Sequence, residues 1–470
     1  MAELDPGGSA RSDQPRPLPL RAALGGLKRG FAALGVRNYR LYWSGQVVSL
    51  IGTWMQQVSL PWLVLALGGS PIQLGFVAVL QFGPSMILAP FGGVLADRVD
   101  KRKALITTQA AAAGQALVLF ALTASGVVEI WMVFVMALWL GLVNAVDMPL
   151  RQALAADLVP RNVLHNAIAL NSMAFNSARI VGPALAGVII AAGTVATGSA
   201  TAGVAVNLAI NTLTYAGVLV GLLRMNPAEI RQHEQPERHP PVLHSLREGF
   251  AYTVRTPLVL WCLVLLGGIA AFGFNFQILL PLFATLVLGL DADGYGLLFA
   301  SLGIGSLTGS LTLAFMRQRR AIPLMLGGGT AFALILAGIS LSREVWLAAP
   351  LIVAAGFTSM LMINTINATV QANVPDELRG RVMSFYVTVF AGSAPIGGLF
   401  AGAVAQAFGT PAAFFVGAVL SLIVLGIVAI GLRRAHRAGS LGITTLDTSS
   451  ETRGAGARAG SEPRPASATR

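Results

Sequence analysis

Few residues in this chain could do chemistry inside an apolar environment, and they are widely spaced. Asp147 is the one acid well inside a long apolar stretch, in Asn144-Ala145-Val146-Asp147-Met148-Pro149-Leu150-Arg151. A carboxylate there must be paired, protonated or facing water. It is read either as half of an ion pair with Arg98, Lys101 or Arg151, or as a titrating group that exchanges a proton. Arg179 is the one basic residue near the middle of such a stretch. Its guanidinium suits an anionic group such as a catecholate or carboxylate; the other reading is a bundle partner for Asp147 or for backbone carbonyls. Gln57, Asn176, Asn275 and Asn364 are amides in otherwise apolar segments. They are candidate ligand contacts in a cavity with apolar walls and few polar anchors, or interhelical hydrogen bonds.

Other chemistry is unsupported. His165, His233, His239, His244 and His436 form no ligand spacing for a metal. Cys262 stands alone, so no disulfide framework exists within one chain. No Gly-Lys-Ser/Thr phosphate loop is present, which argues against direct nucleotide coupling. The expectation is a protein with no cofactor, no metal and no enzyme activity.

The surroundings of these residues set the class. The chain has 470 residues, 55% hydrophobic and only 11% charged, with a mean hydropathy of +0.70. Soluble domains carry about 25% charged residues, so the solvent that this chain faces is lipid. The net charge of +12 is read as a basic face at a membrane surface rather than a nucleic-acid site. Residues 1–30 hold no apolar run, so no secretory signal is expected.

A span needs about 20 apolar residues, and about twelve such segments can be laid out from Tyr39 to Arg433. Lys and Arg gather in alternate loops: Arg98 to Lys103, Arg151 and Arg161, Arg224 to Arg255, Arg317 to Arg320, Arg379 and Arg381. The opposite loops hold Glu129, Asp291, Asp293 and Arg343. This alternation places both termini in the cytoplasm, in an inner (cell) membrane. The expected organisation is a cytoplasmic arm 1–38, a six-helix bundle 39–223, a cytoplasmic linker 224–257 with a short helix near 243–252, a second six-helix bundle 258–433, and a disordered tail 434–470.

The two bundles carry a repeat. Pro160, Gly182, Ala186 and Gly187 fall on Pro375, Gly397, Ala401 and Gly402 without a gap. An apolar chain built as two parallel halves is characteristic of transporters that rock one half against the other. Gly182, Pro183 and Gly187 then form either a seam between the bundles or ordinary small-residue packing.

Three motifs carry a family resemblance. Gly93-Val94-Leu95-Ala96-Asp97-Arg98-Val99-Asp100-Lys101-Arg102-Lys103 resembles the loop signature of the major facilitator superfamily, with Asp100 where glycine is usual. The matching loop at Gly309 to Arg320 has Leu313 in place of the acid. Arg179-Ile180-Val181-Gly182-Pro183-Ala184-Leu185-Ala186-Gly187 is similar to the glycine-proline signature of its antiporters. Asn144 to Gln152 and Asn166 to Ser172 look like the exporter branch that includes enterobactin exporters and macrolide efflux proteins. The resemblance implies an all-α membrane fold of twelve helices in two pseudo-symmetric six-helix bundles, a cavity between them, and alternating access.

Asp97 sits at a helix C-terminus, where the macrodipole disfavours a negative charge. Gly93, Asp97, Arg98, Lys101, Arg102 and Arg381 are therefore read as an interhalf latch that steadies the outward-facing state, the alternative being a solvated loop acid. The expected function is secondary, proton-coupled export of a small amphipathic molecule, drug-like or siderophore-like, by a monomer in the lipid bilayer. An importer or lipid-flipping facilitator, and a non-transporting sensor or assembly partner, are the competing readings.

Overall fold

The computed structural model describes residues 31–230, 242–316 and 321–438, with the side chains of 89–98, 242–246 and 376–377 left out of that description. The arm before residue 31, part of the linker, and the tail after residue 438 lie outside it. Among the described residues the chain is helical, with no strand. The first bundle is α1 (Arg37–Ala66), α2 (Pro71–Arg98), α3 (Lys101–Ala124), α4 (Ile130–Asp157), α5 (Leu164–Thr197) and α6 (Ala200–Leu223). The linker helix α7 is Val242–Arg255. The second bundle is α8 (Pro257–Phe272), α9 (Phe276–Leu286), α10 (Ala292–Phe315), α11 (Ala321–Leu341), α12 (Val345–Ala372), α13 (Asp376–Phe408) and α14 (Thr410–Arg437).

Among the described residues, 11 segments are long and apolar enough to cross a membrane, α8 and α9 counting as one. The twelfth is α1, which has 30 residues and so spans about 45 Å. Gln46, Ser49, Thr53, Gln56, Gln57 and Ser59 dilute its hydropathy, and of these Gln56 and Ser59 are bonded to other helices of the first bundle. Gln56 Nε2 donates to Gln115 Oε1 at 2.9 Å, and Asn211 Nδ2 donates to Gln56 Oε1. Asn207 Nδ2 donates to Ser59 Oγ and, at 3.3 Å, to the Met55 carbonyl. Each such bond is worth about 0.6 kcal/mol in a bilayer, so the network fixes helix register more than it adds stability. The second bundle uses rings instead: Phe276 packs on Phe332 and Phe414, and Phe283 on Phe414.

Local sequence explains the helix ends. Ser70 and Gln73 form a capping box at the start of α2, with Pro71 at its first position. Asp100, the departure from the resembled loop signature, is the N-cap of α3: its side chain accepts from the Lys103 amide at 3.0 Å. The seventh span is broken. Gly273, Phe274 and Asn275 separate α8 from α9, and Asn275 Nδ2 donates at 2.8 Å to the Ala271 carbonyl beside the break.

Helix pairs repeat between the bundles. α2 packs on α4 as α10 packs on α12, and α3 on α6 as α11 on α14. Across the bundles, α5 meets α10 and α2 meets α13. The linker helix α7 docks on the start of α13: Tyr252 Oη donates to the Asn373 carbonyl at 3.0 Å. We call the end carrying α7, the start of α1 and the end of α14 the terminal end, and the opposite one the far end.

Candidate functional site

The seam between the bundles is built from backbone approach at glycines. A Cβ added at Gly187 would lie 2.7 Å from the Ala292 carbonyl oxygen of α10, and one at Gly296 would lie 2.7 Å from that of Pro183. The repeat mate Gly402 does the same on the other side, 2.7 Å from the Pro71 carbonyl of α2, and Gly75 would meet the Gly398 carbonyl at 2.6 Å. Gly182 and Gly397 behave differently. Gly182 faces Trp54 and Ile51 of α1, and Gly397 faces Ala271 and Asn275 at the α8 break. The repeat thus divides its labour: the second glycine of each motif joins the halves, and the first packs its own half. Pro183 lies within α5 without ending it.

Side chains close the far half of the seam. Trp62 of α1 stacks on Tyr295 of α10 with centroids 5.9 Å apart, and Trp54 reaches Phe299 at 6.3 Å. Gln277 Nε2 donates to Gln57 Oε1 at 3.3 Å across the halves. Beside that bond lies a cavity of about 10 Å³ lined by Gln57, Gln81, Gln277 and apolar neighbours. It is roughly the size of one water. Gln81 was not among the expected contacts; it is an amide flanked by apolar residues in α2 and gave no pattern.

Arg179 stands at mid-seam. Its backbone carbonyl approaches Gly303 of α10, where a Cβ would lie 3.1 Å away. Its Nη2 donates to Asn176 Oδ1 at 3.3 Å, and its buried Nε has no hydrogen-bond partner. No carboxylate among the described residues pairs with it. Phe175, one turn earlier, meets Trp54 edge-on at 5.6 Å. The result is a cation beside an aromatic wall between the two bundles. Asn176 Nδ2 is occupied by the Ser172 carbonyl at 2.8 Å. Asn364 lies away from this point and donates to Ser310 Oγ at 3.0 Å, joining α12 to α10. Asn275 is buried at the α8 break.

Asp147 is fully buried in the first bundle. Of the three partners considered for it, the structure brings Arg151, whose Nε donates to Oδ2 from the next turn of α4. Lys101 instead pairs with Asp157 at 2.6 Å. Arg179 does not reach Asp147. Oδ1 accepts from Thr108 Oγ1 at 2.7 Å and Gln109 Nε2 at 2.6 Å, both on α3. Thr108 and Gln109 were missed, although a helical wheel of α3 puts them on one face with buried Leu105 and Ala112.

Of the expected latch residues, Gly93, Asp97 and Arg98 fall outside the described side chains. The others are engaged within their own halves. Arg102 Nε and Nη2 donate to the Leu222 and Leu223 carbonyls at the end of α6, at 2.8 and 3.0 Å. Arg381 pairs with Glu248 of the linker helix.

The chain has relatives of known kind. The sequence pattern of the family described as transmembrane secretion effectors matches residues 28–441. The staphyloferrin A transporter of Staphylococcus aureus (strain NCTC 8325 / PS 47) is 24% identical over 387 residues, covering 79% of this chain and 90% of the relative. An enterobactin exporter, EntS of Shigella boydii serotype 18, is 23% identical over 403 residues, covering 84% and 92%. In fold, a variant of the nucleoside transporter NupG superposes with a TM-score of 0.67 at 12% identity, covering 84% of this chain and 99% of that one. A bacterial homologue of the human lysosomal transporter Spinster superposes at 0.65 and 16% identity, covering 87% and 97%.

Proposed function

The chain belongs to this transmembrane secretion effector family of the major facilitator superfamily, and from that premise we propose that it is a secondary exporter of small amphipathic anions. It is a multi-pass membrane transporter with a small-molecule substrate, and not an enzyme. The finer reading is that substrate enters between the bundles from the cytoplasmic, terminal end. It places an anionic group at Arg179 and an apolar ring against Trp54 and Phe175, and it leaves when the far seam opens. The observation that carries this is the buried Arg179 Nε without a partner. A membrane-embedded cation with no carboxylate beside it among the described residues favours an anion and repels a cation. Asp147 and Arg151 neutralise each other, so their pair leaves that preference unchanged.

Coupling on this reading is to protons, with Asp147 exchanging Arg151 for a proton. Asp97 and Arg381 act as a latch in the state with the far end open, and the protein works as a monomer in the inner membrane. The siderophore relatives are in keeping with a chelating anion as cargo. The test uses two permanently charged probes of matched shape, naphthalenesulfonate and naphthyltrimethylammonium. Everted vesicles should accumulate the anion and not the cation, and Arg179→Gln should abolish that selectivity. Equal uptake of both, or anion uptake unchanged in Arg179→Gln, would remove the anionic reading. Cysteines at Ser70 or Gly409 should react with an impermeant thiol reagent from outside intact cells. Labelling only after lysis would invert the orientation; native Cys262 is buried and silent.

A further inference from the structure

The lipid-facing side of the second bundle carries a feature that the transport reading does not use. Between α8 and α14, at the terminal end, lies a groove of about 540 Å³. Gly431 makes it possible. The Trp261 indole occupies the place where a Gly431 side chain would stand, so the ring lies against α14 and forms the floor. Ile427 and Ile430 flank it and are 51% and 54% exposed, which in a spanning helix means that they face acyl chains.

One end of this apolar groove is cationic. Arg434 is its one charged lining residue, and Pro257, the first residue of α8, lines the same end. Arg433 and Arg437 are exposed in the adjoining turn of α14, and Arg255 is exposed just before α8. No acid lines the groove. An apolar trough that ends in a guanidinium, with further arginines beside it, matches a phosphate with an acyl chain attached.

We propose that this groove binds one acidic phospholipid, its phosphate at Arg434 and one acyl chain lying along Trp261. A zwitterionic lipid offers the same phosphate. Its ammonium group, however, would meet Arg433, Arg434 and Arg437, so the site discriminates by charge. The bound lipid bridges α8, which follows the linker helix directly, to α14. It therefore steadies the hinge side of the second bundle, whatever the transported substrate is.

Native mass spectrometry of the whole purified protein, with phosphatidylglycerol and phosphatidylethanolamine supplied in equal amounts, tests this. Wild type should retain one phosphatidylglycerol in clear preference to phosphatidylethanolamine. Arg434→Gln should lower that retention roughly fivefold, as expected for one cation facing an acidic lipid. Arg434→Lys should keep most of it, and Arg224→Gln, at the same end of the molecule but just past the end of α6, should change nothing. Equal retention of both lipids by wild type, or of neither, overturns the site without reference to any variant. So does undiminished retention in Arg434→Gln, or an equal loss in Arg224→Gln, which would reduce the effect to a diffuse surface charge.

Discussion

The two ends of the molecule are held by different kinds of contact. At the far end the bundles meet backbone to backbone, at Gly187 with Gly296 and at Gly75 with Gly398 and Gly402, with Trp62 stacked on Tyr295 over one seam. At the terminal end three cations are held by polar partners: Lys101 by Asp157, Arg102 by the end of α6, Arg381 by Glu248 of the linker helix. Close packing, joined at the far end by the Gln277–Gln57 hydrogen bond, has no set of alternative partners to exchange with; it is made or unmade as a whole. Ion pairs at a wet surface are worth about 0–1 kcal/mol and can change partner cheaply. A protein that alternates between two closures needs both kinds, a seam that opens all at once and charges that are re-paired when it does.

The sharpest break targets the buried pair at the terminal half of α4. Asp147→Asn leaves Arg151 as an uncompensated buried cation, at a cost of about 3–5 kcal/mol, read as a lower thermal midpoint in detergent. The double variant Asp147→Asn with Arg151→Gln should regain most of that stability. If Asp147 also couples transport to protons, the stable double variant no longer responds to a pH gradient; gradient-driven accumulation in it would leave Asp147 a structural ion only.

The next largest effect belongs to the seam. Gly187→Leu or Gly402→Leu forces a side chain into backbone of the opposite half. Overpacking of about 1–3 kcal/mol should hold the far end open and make Ser70→Cys more reactive. Gly114→Leu, which meets nothing within 4 Å, should be silent. Equal behaviour of the three would mean that the glycine seam carries no closure. The smallest effect is expected at Glu248. Its side chain and that of Arg381 are 38% and 31% exposed, so Glu248→Gln should move the thermal midpoint very little. By freeing Arg381 it should still shift the balance of inner and outer thiol accessibility. A large stability loss would make the pair structural instead.

The sequence repeat foretold the architecture because small residues at fixed offsets are what close helix packing demands. It could not tell seam from interior. Gly182 and Gly187 lie five residues apart, hence on different faces of one helix, and which face meets which bundle is decided by tertiary packing. Arg179 was legible as a lone cation among apolar residues. Its lack of an acidic partner among the described residues was not, because that depends on where Asp147 turns, and Arg151 one turn away was the nearer claimant. Asn275 and Asn364 read alike as amides in apolar spans. One is fixed by a helix break and the other by Ser310 across a helix pair, and composition records neither.

Alternating access requires the far seam to open during transport. Cysteines replacing Gln57 and Gln277 would lie across the halves from each other there, since the two amide side chains meet at 3.3 Å. Bridging that pair in reconstituted vesicles with a short bifunctional methanethiosulfonate should abolish naphthalenesulfonate flux, and reduction should restore it. Flux that continues at full rate through quantitatively cross-linked protein would contradict alternating access across this seam.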